Sequence, residues 1–141
     1  MALQHSPSIV TSGLVMCLDA ANPRSYPGSG TAWRDASGTG NNGTLLNGVS
    51  YESTNNGTLV FNGTDQYSSV PQSATNNITS NQITFGGWCF PTISNKYQHI
   101  VVKNVSESRQ YGMWLSVNGT SQIFRNLNGV VSQGNVSLST N

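Results

Sequence analysis

Residues Gly57 to Pro71 read GTLVFNGTDQYSSVP and contain two short runs in which side chains alternate between two faces. In the first run, Leu59 and Phe61 fall on one face of an extended chain, and the second run alternates in the same way. The segment between the runs, Asn62-Gly63-Thr64-Asp65, contains the Asn-Gly pair that tight hairpin turns favour. Pro71 ends the second run because proline has no N–H to give to a ladder. The stretch therefore predicts a β-hairpin with one buried face.

Similar alternating runs occur along the rest of the chain, separated by turns rich in Asn, Gly and Pro. No stretch has the pattern of a helix of three turns, so we predict an all-β fold with antiparallel sheets. Reversals are predicted at Asn118-Gly119, Asn128-Gly129 and Gly134-Asn135. The further predicted strands are Leu14–Ala20, Thr44–Asn47, Val49–Tyr51, Ile83–Pro91, His99–Lys103, Tyr111–Val117 and Ser121–Arg125.

The longest segment without a strand pattern runs from Asn22 to Gly43 and is punctuated by Pro and Gly. Ordered loops of this length in compact domains carry function or are fixed in place by specific side chains. Tyr26 and Trp33 are the residues expected to fix this loop.

The composition is polar and nearly uncharged. Charged residues make up 8% of the 141 residues and the net charge is +1, against about a quarter charged in ordinary soluble domains. Such a surface has no field to attract nucleic acid or anionic lipid, so neither is expected as a partner. The regular aromatic and β-branched runs favour an ordered domain over a disordered polar segment.

The amino end has no basic leader, and the apolar run Leu14–Leu18 is too short to cross a membrane. We therefore predict an N-terminal arm over residues 1–12, a single β domain over residues 13–141, and no membrane insertion. Cys17 and Cys89 lie among apolar neighbours and are expected to be buried, reduced thiols.

The order of motifs resembles the first half of a laminin-G-like, concanavalin A-like lectin/glucanase domain, in the version common in structural proteins of marine bacteriophages and in bacterial surface proteins. The resemblance covers roughly Leu14 to Phe124. It implies an antiparallel jelly-roll β-sandwich, in which Trp33, ahead of the turn at Asp35, closes one end. The motifs that carry it are GLVMCLDAANPRSYPGSGTAWRDASGTGNNGTLLNG (13–48), LVFNGTDQYSSVP (59–71), ITFGGWCFP (83–91), HIVVK (99–103) and YGMWLSVN (111–118).

In the resembled family several more strands follow, and this sequence has none of them. An incomplete sandwich would leave unpaired strand edges at its C-terminal side. Three explanations are open: the chain is a fragment of a longer product, it receives strands from a neighbouring subunit, or it forms a minimal sandwich. We expect the first.

No enzymatic activity is predicted. The glucanase branch of the resembled fold needs paired carboxylates beside the scissile bond, whereas Glu52 and Glu107 are isolated in the sequence. No cofactor and no metal site is predicted. Tight calcium binding is not expected because the loops offer single carboxylates, and only weak calcium binding is left open.

Ligand binding is the functional chemistry that the sequence leaves open. Sugar recognition uses aromatic platforms together with polar groups at loops and sheet edges. Each candidate also has a structural explanation, since Asp65 suits a turn and Trp33 the end of a sandwich. The candidate ligand-binding residues are Trp33, Asp35, Asp65, Tyr67 and Tyr97.

Two functions are therefore predicted from different classes. The resemblance implies a non-enzymatic structural or decoration module of a phage capsid, tail or fibre, made in the host cytoplasm and bound to other virion proteins or to copies of itself. The alternative is an adhesin that binds host cell-surface glycan, with weak sites strengthened by multivalent display at an extracellular surface.

Overall fold

The computed structural model describes residues 10–79, 82–92, 96–105, 108–115, 120–127 and 130–137. These residues form nine strands and one short 3-10 turn at Thr54–Asn56, and every strand pairing is antiparallel. The predicted all-β, antiparallel class is confirmed. The chain divides into two compact units, Met1–Asn77 and Ile78–Asn141. The strands are β1 (Ala32–Trp33), β2 (Gly43–Leu46), β3 (Ser50–Glu52), β4 (Thr58–Val60), β5 (Tyr67–Ser69), β6 (Gln98–Val105), β7 (Ser108–Leu115), β8 (Thr120–Leu127) and β9 (Val130–Ser137).

The N-terminal unit contains a three-stranded sheet in the order β1-β2-β5. One face carries the buried Leu45 of β2 and its partner Ser68 of β5. Trp33 of β1 is the partner of Gly43, two residues from Leu45, and so lies on the same face. Side chains that alternate with these, including the exposed Tyr67, lie on the opposite face.

A second sheet consists of the two strands β3 and β4. β3 follows β2 in the chain and β4 precedes β5, so the same two stretches of chain that pair as β2 and β5 pair again as β3 and β4. Segment 43–52 and segment 58–69 form one long bent hairpin whose tip is the 3-10 turn before Gly57. The two sheets are linked by three residues, 47–49, on one arm of the hairpin and by six residues, 61–66, on the other arm. The predicted hairpin is therefore wrong, because β4 and β5 belong to different sheets and do not pair with each other.

Side-chain hydrogen bonds explain why the chain leaves the ladder at this bend. The Asn62 amide oxygen accepts hydrogen bonds from the backbone N–H groups of Thr64, at 2.9 Å, and Asp65, at 3.2 Å. The Gln66 side chain accepts a bond from the Asn62 N–H and donates to the carbonyl oxygen of Gly48. The Asn-Gly pair thus forms a closed turn on the side of the hairpin and does not form its tip.

The predicted strand at Leu14–Ala20 is also wrong, because this segment has no ladder partner. Its backbone groups are bonded instead to the loop that follows. The Ala36 N–H donates to the Cys17 carbonyl at 2.8 Å, and the Asp19 N–H donates to the Ser25 hydroxyl at 3.0 Å. The alternation of apolar and polar side chains does not distinguish a segment whose backbone bonds to side chains from a strand whose backbone bonds to a neighbouring strand.

The C-terminal unit is a four-stranded meander in the order β6-β7-β8-β9. It confirms the predicted strands at His99–Lys103 and Ser121–Arg125, and Tyr111–Leu115 of the third predicted strand. Its core includes Tyr111, Trp114 and Leu115 of β7. The reversal predicted at Gly134-Asn135 is wrong, since β9 passes through both residues. The turns predicted at Asn118-Gly119 and Asn128-Gly129 lie outside the described residues, as do residues 1–9 of the N-terminal arm.

The segment Ile83–Pro91 does not form the predicted strand, although its side chains alternate. Phe85 stacks on Tyr111 with ring centroids 5.8 Å apart, and Ile83 is half-buried on the same alternation. Trp88 and Phe90 alternate with them and are exposed. The two cysteines are less buried than expected, since Cys17 is half-buried and Cys89 is exposed, and both are free thiols.

Candidate functional site

Asp35, two residues after the end of the edge strand β1, is the centre of a polar cluster in the N-terminal unit. Its Oδ1 accepts hydrogen bonds from the N–H groups of Cys17, at 2.8 Å, and Ser37, at 2.9 Å. Its Oδ2 accepts bonds from the Ser37 hydroxyl at 2.7 Å, the Thr39 hydroxyl at 2.9 Å and the Asn41 N–H at 3.0 Å. Five donors therefore occupy a carboxylate that has about four lone-pair positions.

The pKa of Asp35 reflects a competition between burial and these donors. Desolvation by burial raises the pKa, but the backbone N–H groups of Cys17 and Ser37 and the hydroxyls of Ser37 and Thr39 lower it more. The net result is a pKa of about 2. A carboxylate this acidic is ionised at neutral pH and is a poor general base.

Asn41 extends the cluster into a second turn. It is 3% exposed, and its amide nitrogen donates to the Val15 carbonyl at 2.6 Å and to the Thr75 hydroxyl at 2.9 Å. Its amide oxygen accepts bonds from the Ser73 hydroxyl and, at 3.3 Å, from the Asn76 side chain. One buried amide thus joins three segments that are distant in sequence.

We call Asp35, Ser37, Thr39 and Asn41 the Asp35 network. It holds the extended segment Val15–Asp19 through the bond from the Asn41 amide to the Val15 carbonyl and the bond from the Cys17 N–H to the Asp35 carboxylate. Burial, followed by the Asp19 and Asp35 carboxylates, raises the pKa of the Cys17 thiol. The thiol therefore stays protonated at neutral pH and is not an activated nucleophile.

Trp33 and Tyr67, two of the predicted ligand-binding residues, lie on opposite faces of the three-stranded sheet. Trp33 is half-buried, and its Nε1 is buried without a hydrogen-bond partner among the described residues. Tyr67 is 53% exposed and is the partner of Leu46 in β2. A single ligand on one face of the sheet does not reach both rings.

Asp65 and Tyr97 are not members of the Asp35 network. The Asp65 carboxylate accepts a bond from the Asn62 side chain at 2.8 Å, and its carbonyl accepts one from the Asn47 side chain at 2.6 Å, so it builds the bend of the hairpin. Tyr97 is 62% exposed and belongs to the other unit, directly before β6. Within the N-terminal unit, Trp33 and Asp35 are two residues apart in the chain, whereas Tyr67 lies in β5. The ligand-binding role of all five residues stays a prediction.

Trp88 and Phe90 are exposed aromatics that the sequence interpretation placed in a half-buried strand. Trp88 is 105% exposed and Phe90 is 89% exposed, so both rings are open to solvent. The sequence shows that Trp88 and Phe90 alternate with Ile83 and Phe85, but it does not indicate which of these two pairs is buried. Flat, open aromatic rings of this kind can stack on apolar faces of sugars or on other ring systems.

Within the described ranges, no group of three or more His, Cys, Asp or Glu side chains is placed to hold a metal ion. In the same ranges, no helix has the length and apolar character needed to span a membrane. The Asp35 network, with every carboxylate lone pair already used, is arranged to fix a loop.

Comparison with known proteins gives one similar solved structure. It is the crystal structure of an S-layer domain-containing protein (residues 221–444) from Clostridium thermocellum ATCC 27405, at 17% sequence identity and a TM-score of 0.62. The match covers 81% of this chain and 54% of that chain. No protein-family model and no curated protein sequence matches.

At this identity the similarity concerns the fold alone. This chain corresponds to about half of the S-layer domain-containing structure. The shared feature is an arrangement of antiparallel β-strands, in agreement with the pairings of both units.

Proposed function

We propose that this chain is a non-enzymatic structural or decoration module of a phage virion, carried on a capsid, tail or fibre. In this proposal its strands belong to a concanavalin A-like jelly roll. The family resemblance of segments 13–48 and 59–71 supports the setting. Its partners would be other virion proteins, which it contacts through shape and repeated weak interactions.

The observation that carries the proposal is the closed hydrogen bonding of Asp35. A catalytic or metal-binding carboxylate keeps lone pairs open toward a substrate or ion, whereas this one accepts bonds from five donors of its own chain. The result is a long loop fixed in place by side chains of its own chain. A rigid surface with few charges suits lasting contact with neighbouring proteins.

The similarity to an S-layer domain-containing protein supports a role in a surface assembly. The low charge, 8% of residues, fits close packing against other subunits because few ion pairs must be desolvated.

Co-sedimentation tests this proposal. The full chain, labelled on an engineered tag, is mixed with virions of the phage whose genome encodes it, from a preparation in which the gene is deleted. We expect saturable binding to the particles that survives high salt, because few charges are available to be screened. Absence of binding to capsids, tails and fibres alike would reject the virion role.

A glycan-binding adhesin is the second candidate function, and the exposed aromatic rings favour it. Tyr67, Trp88 and Tyr97 present 53%, 105% and 62% of their surfaces to solvent. Such rings supply stacking platforms for sugars, and weak single sites gain strength when many copies are displayed.

A glycan array with multivalent display tests this second function. If the chain binds a glycan, Trp88→Ala is expected to weaken that binding by about tenfold. Val60→Ala, which truncates an exposed aliphatic side chain in β4, is the matched control. A glycan signal unchanged by Trp88→Ala, Tyr67→Ala and Tyr97→Ala would show that these rings are not the platform, and particle binding without any glycan signal would favour the structural role.

A further inference from the structure

The tip of the bent hairpin contains an Asn-Gly pair, Asn56-Gly57, whose asparagine is exposed. Asn56 has φ 67°, in the left-handed region of the backbone. Among the residues that the structure describes, none forms a hydrogen bond with this side chain. The residue that follows has no Cβ, so no side chain of its own stands between the Asn56 amide and the Gly57 nitrogen. The side chain is thus free to rotate toward that nitrogen.

The three other Asn-Gly pairs in the described ranges have asparagine side chains that are held in place. The Asn42 amide oxygen accepts a hydrogen bond from a backbone N–H at 2.8 Å. The Asn47 amide nitrogen donates to a backbone carbonyl at 2.6 Å, and Asn62 makes several bonds within its own turn. Asn47 is the closest comparison, because it shares the left-handed backbone of Asn56, with φ 63°, and differs in this bond.

We propose that Asn56 is a site of self-modification, at which the chain converts asparagine to aspartate and isoaspartate. The Gly57 nitrogen gives its proton to solvent and attacks the side-chain carbonyl carbon of Asn56, and the side-chain nitrogen takes up a proton and leaves as ammonia. Water then opens the resulting cyclic imide at either of its carbonyl carbons. One opening gives aspartate, and the other gives isoaspartate, in which the main chain runs through the former side chain. The inference holds for either proposed function.

One contact of Gly57 opposes the reaction. Its N–H donates to the Thr54 carbonyl at 3.0 Å and closes the three-residue 3-10 turn. A turn of this size opens locally far more often than the chain unfolds. The held asparagines must also break a bond of their own side chain before they can rotate, and each such bond slows the reaction. The free side chain therefore makes Asn56 the first of the four to react.

The product changes the hairpin at a tightly packed point. A Cβ on Gly57 would lie 2.5 Å from the Tyr51 hydroxyl oxygen and 3.0 Å from the Ala20 carbonyl oxygen, so this residue has little room on that side. Isoaspartate inserts one additional carbon into the main chain directly before Gly57. The pairing of Glu52 with Thr58, next to the tip, should therefore loosen. Aspartate leaves the main chain unchanged and should preserve this pairing.

Timed incubation of the full chain in mildly alkaline buffer provides the experiment. Peptide mapping by mass spectrometry measures the conversion at each Asn-Gly pair, and isoaspartate among the products marks passage through the imide. The same incubation in concentrated urea measures the reactivity of each pair without the fold. Asn56→Gln is the matched variant, since its longer side chain does not close the same ring. Asn56→Asp carries the charge of the product without the change of main chain.

In the folded chain, Asn56 should convert at least ~5-fold faster than Asn42, Asn47 and Asn62, since each of these must release at least one hydrogen bond. In urea the four sites should convert at similar rates. Asn56→Gln should remove the isoaspartate product at this position and leave the other three sites unchanged. Faster conversion at any of the three held sites, or the same ratio of rates in buffer and in urea, overturns the proposal.

Hydrogen exchange measures the consequence for the hairpin. In the isoaspartate-containing fraction, amides of residues 50–52 and 58–60 should exchange at least about threefold faster than in Asn56→Asp. Those of residues 98–105 should not change. Equal exchange at 50–52 and 58–60 in the two samples would overturn the proposed effect on the hairpin.

Discussion

The two units of this chain satisfy their backbone groups in different ways. In the C-terminal unit, four strands of eight residues each bond to one another in a regular meander. In the N-terminal unit the strands have two to four residues, and much of the remaining backbone bonds to side chains such as Asp35, Asn41 and Asn62. A ladder distributes its bonds over many residues of ordinary type, whereas the N-terminal unit depends on a few specific residues. Single substitutions should therefore act much more strongly in the N-terminal unit.

The largest effect is expected for Asp35→Ala. It removes the acceptor of five hydrogen bonds and leaves the Cys17 and Asn41 N–H groups without their carboxylate partner. The free energy of unfolding of the N-terminal unit should fall by about 3–4 kcal/mol, because bonds to a charged acceptor are the strong ones. Hydrogen exchange followed by segment measures each unit separately.

Asp65→Ala is the control for this variant, since the Asp65 side chain is exposed and accepts one bond, from Asn62. We expect it to cost about 0.5–1 kcal/mol. Equal losses in both units after Asp35→Ala would break the comparison drawn above.

Asn41→Ala should have the next largest effect. The side chain is buried and joins the Val15 carbonyl to the turn at Ser73 and Thr75. Its loss should cost about 2–3 kcal/mol because several buried polar groups lose their partner. Urea unfolding monitored by tryptophan fluorescence measures this value. Asn42→Ala, which removes a single bond to the Asp35 N–H, should cost about 1 kcal/mol.

Gly57→Ala tests the tip of the bent hairpin. Gly57 has φ 110°, and an added Cβ would lie 2.5 Å from the Tyr51 hydroxyl oxygen and 3.0 Å from the Ala20 carbonyl oxygen. We expect a loss of about 2 kcal/mol from strain and overlap together. Gly40→Ala is the control, because Gly40 has φ 81° but no atom within 4 Å of the added Cβ. It should cost about 1 kcal/mol in the same thermal unfolding experiment.

Apart from the control variants, the smallest expected effect is a dependence on pH that is confined to the N-terminal unit. Asp35 has a pKa of about 2 in the folded chain, below the value of about 3.9 for an unfolded aspartate. Its contribution is therefore complete above about pH 4 and is lost as the pH falls toward 2. Because the group is partly open to solvent, the loss should be about 1–2 kcal/mol. Urea unfolding at a series of pH values measures it, and Asp35→Asn should abolish this part of the dependence.

The sequence was sufficient to predict three of the four strands of the C-terminal meander, but not β9, inside which it placed a reversal at Gly134-Asn135. Each of these three strands is long enough for alternation to persist, as in His99–Lys103 and Tyr111–Leu115, and its pairing partners are neighbours in sequence. The sequence also indicated that Tyr26 fixes the long loop. Tyr26 is buried, its hydroxyl donates to the Gly30 carbonyl at 2.8 Å, and its ring lies 5.4 Å from that of Tyr51.

The polar organisation of the N-terminal unit could not be predicted in the same way. Leu14–Ala20 alternates like a strand, but its partners include the side chains of Asp35 and Asn41, which lie about twenty residues away. Side chains that cap a backbone at such a distance leave no periodic pattern. For the same reason the sequence pointed to Asp35 as a candidate residue without showing what it bonds to, and it gave no sign of the role of Asn41.

The unequal arms of the bent hairpin have a consequence for engineering. The link 61–66 is three residues longer than the link 47–49. Deletion of three residues from the longer link would therefore place β2–β5 and β3–β4 in one continuous pairing register. The two small sheets would then fuse into a straight ribbon. Loop length at this corner, more than the strength of either strand pair, sets where one sheet stops and the next begins.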